Sequence, residues 1–221
     1  MAKLASIIAS SFQPSSKAKK RLITDFAEQA GMVYFGYVSQ RSDDHHIVRG
    51  FTVSTQHVDD HYCIGTYETY DVMFVERTDT LRSGKRHSWH ILEFDLKTTA
   101  DVPHFFVESS RANQHSHELL TTKYHSMHPV ALGVTTPYPQ KFTSHYAVYS
   151  SPAHVVAFER LFTPDTTEAM AVHLNGLSFE VTDQSLYVYS EKSHLTSELL
   201  HMMLANGLWL AKTIDINSRL L

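Results

Sequence analysis

The chain has 221 residues, is 43% hydrophobic and 11% aromatic, and carries a formal net charge of −4. That length and apolar content predict a folded globular protein with one substantial core or two small ones and argue against disorder. The charge gives no global reason to bind nucleic acid, because neutralising phosphates needs a concentrated basic surface. A lone cysteine, Cys63, excludes an intramolecular disulfide framework and any multi-cysteine zinc site, and it fits a reducing compartment, so a cytoplasmic location is expected.

The first 24 residues hold Lys3, Lys17, Lys19, Lys20 and Arg21 with no acid, and Leu4, Ile7, Ile8 and Phe12 fall near one helical face. Two readings follow: an arm packed on the domain ahead of a solvated helix start, or a targeting or membrane-surface segment that makes the protein membrane-peripheral. No apolar run approaches the roughly 20 residues of a bilayer span. The longest, Leu199 to Ala211, is interrupted by His201, Asn206 and Gly207, so a soluble chain is expected.

Gln13-Pro14-Ser15-Ser16 reads as a stop and N-cap. Ala18, Leu22, Ile23, Phe26, Ala27 and Ala30 then form the stripe of an amphipathic helix of about 14 residues, ended by Gly31. Met32 to Val38 and Ile47 to His57 have strand character, separated by the polar loop Arg41 to His46. A turn is expected at Asp59-Asp60. Next comes a central hairpin from Tyr67 to Lys97: Tyr70, Val72 and Phe74 share one face, as do His90, Leu92, Phe94 and Leu96, with Glu93, Asp95 and Lys97 opposite. Such alternation describes half-buried strands, and Thr78 to Lys85 supplies the turn residues.

Val102 to Val107 is expected as an edge or final strand, since Pro103 cannot donate to a ladder. Glu118 to Met127 has helical character inside a connecting segment rich in proline. Phe142 to Tyr149 reads as a strand, followed by short helices at His154 to Phe162 and Pro164 to Leu174. Thr163-Pro164-Asp165 starts the second well, with a hydroxyl cap, Pro at the first helical position and an acid at the dipole. Leu177 to Val181 and Ser185 to Tyr189 flank a tight turn, and Thr196-Ser197-Glu198 opens a long helix to about Ile216. The wide apolar face of that helix, Leu199, Leu200, Met203, Leu204, Leu208, Leu210 and Ile214, should lie deep against a sheet.

The pattern is α+β: an N-terminal helix and antiparallel β-meander, then a strand, two short helices, a hairpin and a long packing helix. The expected divisions are an arm at 1–16, the helix and meander at 17–110, a connecting segment at 111–141 and an α+β unit at 142–221. The two units stand alone or join as one layered domain.

Histidine is the compositional outlier, at 16 residues. His57, Asp59, His61 and Cys63 would point to one side of a continuous strand and offer zinc-type ligands, whereas a turn at Asp59-Asp60 breaks that alignment. His57, Asp59 and His61 are therefore the candidate metal set, and Cys63 beside His57 or His61 is the candidate nucleophile. The same cysteine also reads as a small buried hydrophobe. Asp43-Asp44-His45-His46 sits about 30 Å from that set if an extended strand intervenes. His117, His125 and His128 would share a helical stripe, but the stripe is spread over three turns and truncated by Pro129, which favours a solvated polar face. His90 reads as a hydrogen-bonded core histidine, and Glu76 and Glu93 either pair as acid and base or stand as solvated sheet residues. Walker, G-x-G-x-x-G, H-E-x-x-H and G-x-S-x-G signatures are absent, and no cofactor is expected. Trp209, on the polar side of the last helix, either marks a partner contact or folds over the helix edge into the core.

The C-terminal order of strand, helix, Leu161 to Asp165, helix, Leu177 to Val181, Ser185 to Tyr189 and long helix resembles a family of uncharacterised bacterial domains of unknown function. The places matching its glycine-led strand and its tyrosine-bearing central strand are Gly50 and Tyr67 to Tyr70. The resemblance covers Lys17 to Ile216 and rests on apolar pattern and turn residues. It implies the α+β architecture and, because many such proteins look membrane-anchored, an action beside a membrane, although this chain's N-terminal apolar stretch is too short for an anchor. It implies no catalytic residues. The function expected is a non-catalytic binding or scaffold protein, with protein partners or self-association through Trp209 and the basic residues Lys19, Lys20 and Arg21. Two rivals remain: a metal-dependent or thiol enzyme using His57, His61 and Cys63, and a small-ligand carrier with a cavity between the long helix and the sheet.

Overall fold

A computed structural model describes residues 16–37, 57–80, 84, 86–111, 126–133, 136–192 and 194–221. The expected N-terminal arm, the loop Arg41 to His46, Gly50, most of the strand ending at His57, and His117 and His125 of the expected helical stripe lie outside the described residues.

Helix α1 (Ser16–Gln29) buries Ile23, Phe26 and Ala27, and Gly31 at φ +70° reverses the chain into β1 (Met32–Gly36), in the left-handed conformation that costs glycine least. β2 (His57–Tyr67), β3 (Tyr70–Thr80) and β4 (Arg86–Asp95) continue as an antiparallel meander. β5 (Phe105–Ser109), β6 (His128–Pro129), α2 (Gln140–His145) and β7 (Tyr146–Ser150) follow. A 3-10 turn, Pro152–His154, then leads to α3 (Val155–Leu161) and α4 (Pro164–His173). The chain closes with β8 (Ser178–Thr182), β9 (Ser185–Ser190) and α5 (Ser197–Asn217). The class is α+β.

The described strands form one antiparallel sheet in the order β1-β2-β3-β4-β9-β8-β5-β7-β6. β9 pairs with β4 from Asp95↔Ser185 to His90↔Ser190, so the sheet runs through strands from both of the stretches expected as units. On one side Val72, Phe74, Leu92, Phe94, Phe179 and Val188 join a core with α1 and α5. Every apolar residue expected to face the sheet from α5 is buried. Contact there is close enough that a Cβ on Gly207 would sit 2.2 Å from the Phe94 ring.

Several local expectations are corrected. The strand begun at Tyr67 is split by a two-residue turn, with Glu68 and Thr69 at φ +44° and +80°, as a primed hairpin turn requires. No turn stands at Asp59-Asp60. Instead β2 runs through, with a bulge between Asp60 and Cys63 and His61 at φ +57°. β5 is interior, flanked by β8 and β7, because Pro103 precedes the strand rather than entering its ladder. Helix α2 takes the first part of the stretch expected as a strand from Phe142. The central strands are not half-buried: Trp89, Ile91 and Glu93, opposite the helices, are buried too.

Candidate functional site

Strand alternation places a second layer on the side of the sheet away from α1 and α5. Tyr62, Val75, Trp89, Ile91, Phe106, Met127, Tyr149, Tyr187 and Tyr189 form its apolar and aromatic part. By register Asp59 lies opposite Arg77, Glu93 opposite Tyr187 and Glu180 opposite Tyr187, so ionisable groups are threaded through those rings.

Three polar clusters organise this face. Arg77 donates from Nε and Nη2 to the two carboxylate oxygens of Asp59, each at 2.7 Å, and both side chains are buried. A planar guanidinium matches a carboxylate in this two-point geometry, and burial raises the cost of losing either partner. Buried Glu180 accepts a 2.6 Å hydrogen bond from the Tyr189 hydroxyl, and its other oxygen lies 2.6 Å from His104 Nε2. His87 stands edge-on to Trp89 with ring centroids 4.3 Å apart, and its Nε2 is 3.3 Å from Glu191. Between them Glu93 has its carboxyl pushed up to about 7, chiefly by burial, with Ser185 and Tyr187 hydrogen bonds opposing the shift. On the opposite face of β4, burial takes the His90 imidazole down to about 4. His90 is buried as expected, but it is not the hydrogen-bonded core histidine expected at Nδ1, which has no hydrogen-bond partner among the described residues.

The candidate metal residues are not brought together. His57 and Asp59 share the second face, with Nε2 and Oδ2 3.8 Å apart, and Asp59 is engaged by Arg77. The bulge turns His61 to the helical side, where it hydrogen-bonds Tyr34 at 2.9 Å and lies 3.9 Å from Glu76, itself held by Lys19 at 2.7 Å. Burial lowers the His61 pKa, and Glu76 opposes that shift. Among the described residues no group of three or more His, Cys, Asp or Glu is placed to hold a metal ion. Cys63 is fully buried with its thiol directed at the His61 carbonyl, and burial pushes the thiol up to about 12, opposite to what a thiolate nucleophile requires.

Of the candidate contact residues, Lys19 is spent on Glu76, Lys20 lies over the Tyr34 ring at 5.7 Å, and Arg21 pairs loosely with Asp25 on the exposed side of α1. Trp209 is half-buried against the main core. Glu76 and Glu93 occupy opposite faces of the sheet, since Glu76 pairs with His90 while Glu93 pairs with Met73.

Sequence reasoning missed Arg77, Glu180, His104 and Asp215. A signal was present for Arg77: it continues the alternation of Met73 and Val75, so a basic residue on a buried face needs an acidic partner. For Asp215 there was none. It accepts from the Tyr70 hydroxyl at 2.6 Å and from the backbone N–H groups of Lys97 and Thr98 at 3.0 Å, tying the end of α5 to the sheet. These residues line a cleft of about 660 Å³ with Ser218 and Arg219. A second cleft of about 460 Å³ is lined by Asp101, His104, His154 and Asp183. Both open at the rim of the sheet, away from the filled space between α5 and Phe94.

No family model and no curated relative matches the chain. The crystal structure of the mycobacterial trehalose monomycolate transport factor A, TtfA, is similar over 91% of this chain and 95% of that one, with a TM-score of 0.58 and 11% sequence identity. At that identity the likeness establishes a shared fold.

Proposed function

We propose that the protein is a non-catalytic binding protein that works beside a membrane surface on the cytoplasmic side. The observation that carries this reading is where the reactive groups lie. Cys63 is sealed in the core with a raised thiol pKa, and Asp59 is locked to Arg77. The exposed chemistry is of another kind: Lys17, Lys20 and Arg21 stand out from the first turns of α1, after a stretch that holds Lys3 and no acid. Such a cluster is attracted to anionic headgroups and weakens with salt. No described helix is long and apolar enough to cross a membrane, so the contact proposed is peripheral. The exposed part of Trp209 is proposed as a protein contact on the same side of the sheet as α1.

The test is co-sedimentation of the full chain with phosphatidylserine-containing vesicles against pure phosphatidylcholine vesicles. Binding to the first alone, lost with added salt and in the triple variant Lys17→Glu, Lys20→Glu, Arg21→Glu, is expected. Equal behaviour on both vesicle types overturns the membrane contact.

Carriage of a small ligand is a second reading, favoured by the 660 Å³ cleft with its cations Lys97 and Arg219. TtfA is by name a transport factor, which is in keeping with either reading.

A further inference from the structure

Among the described residues strand β1 ends the sheet and is paired on one side only. Edge strands of soluble proteins are commonly blunted by charge or proline. From Gly31 to Tyr37 this chain has neither. Val33, Phe35 and Tyr37 are instead 59%, 58% and 64% exposed, and Ile64 on β2, paired with Val33, extends the apolar row. Phe35 leans towards Tyr62 of the second layer, with ring centroids 6.5 Å apart.

The charge pattern above this edge is self-complementary. Lys20 reaches over Tyr34, so its flank of α1 faces the β1 side. Two turns on, Glu28 is exposed, about 80° round the helix from Lys20 at 100° per residue. Thr24, midway between them, lies roughly 9 Å along the helix from the Ala30-Gly31 reversal. Tyr34 lies about 10 Å from the same reversal along β1. A two-fold axis at Tyr34 would therefore set Lys20 of one copy opposite Glu28 of the other, twice. The same axis sets Val33 opposite Phe35, twice, as an apolar cross-strand pair.

We infer that β1 is a self-association edge: two copies pair antiparallel through β1, centred on Tyr34, with Lys20 and Glu28 fixing the direction. This goes beyond the membrane reading and does not rest on it. The bulge at Phe35-Gly36 limits the pairing to the short Met32–Phe35 stretch, so the dimer is dissociable.

Sedimentation velocity on the full chain up to roughly 100 µM tests this, since self-association follows mass action. A concentration-dependent dimer is expected for the natural chain. Phe35→Lys, or Val33→Lys as a second exposed position, should leave a folded monomer, and neither removes a positive charge, so vesicle binding reports separately. Lys20→Glu should weaken the dimer about fivefold, as two exposed pairs would, and Lys20→Glu with Glu28→Lys should restore it. A natural chain that stays monomeric, because another segment or no partner covers the edge, overturns the inference. So does a dimer indifferent to Phe35→Lys.

Discussion

In the middle of the sheet both faces are buried, and they are built differently. Towards α1 and α5 the strands present Val72, Phe74, Leu92, Phe94 and Val188, and cohesion comes from close packing against helices. On the other side β2, β3, β4 and β8 present Asp59, Arg77, Glu93 and Glu180 among Trp89, Tyr187 and Tyr189. β4 contributes to both, with His90, Leu92 and Phe94 one way and Trp89, Ile91 and Glu93 the other. The difference teaches that tolerance where the sheet meets α5 is set by volume, and on the second face by whether each charge keeps its partner.

The strongest break in this contrast is Arg77→Met, which strands the Asp59 carboxylate and should cost about 4 kcal/mol in urea unfolding. Adding Asp59→Leu should recover most of that loss, since an apolar pair can replace a buried ion pair. A single-variant loss below about 1 kcal/mol would show that this face does not depend on pairing.

Next in size are opposed pH effects on β4. With Glu93 raised from an ordinary 4.5 to about 7, the native state keeps a proton that the unfolded chain releases. That contribution is full below pH 4.5 and fades as pH rises to about 7, so Glu93→Gln should be the more stable protein at pH 8, by up to about 3 kcal/mol. His90 acts the other way. Its pKa falls from 6.5 to about 4, so its contribution is full above pH 6.5 and lost as pH falls towards 4. Between pH 4.5 and 6.5 the two slopes oppose each other, and the natural chain should vary less with pH than either Glu93→Gln or His90→Gln. Denaturant midpoints across that range decide it.

On the helical side, Gly207→Ala should destabilise by about 2 kcal/mol although alanine is the better helix former, because its Cβ meets Phe94. Phe94→Leu in the same chain should lessen that cost. Tyr70→Phe, which removes the hydroxyl from Asp215, should lower stability by about 1 kcal/mol. The smallest expected effect is none: native Cys63 should resist alkylation until the protein unfolds, and rapid labelling would reopen the thiol-enzyme reading.

Elements with local signals were legible. Thr163 accepts from the Thr166 N–H and Thr196 from the Leu199 N–H, as hydroxyl caps do, and Asp183-Gln184 makes the tight turn expected between β8 and β9. The Glu68-Thr69 turn was not legible, because neither residue is among those that enter positive φ readily. The bulge at His61 was equally silent, and with it went the alignment on which the metal set depended.

The sequence by itself determined α1, the central and C-terminal hairpins and the buried face of α5, since caps, turns and apolar periods act within a few residues. Only the tertiary structure decided the insertion of β9 beside β4, the meeting of Asp59 with Arg77 and the bond from Tyr70 to Asp215, 145 residues away. Those partnerships depend on strand order and register, which one displaced residue reverses from face to face.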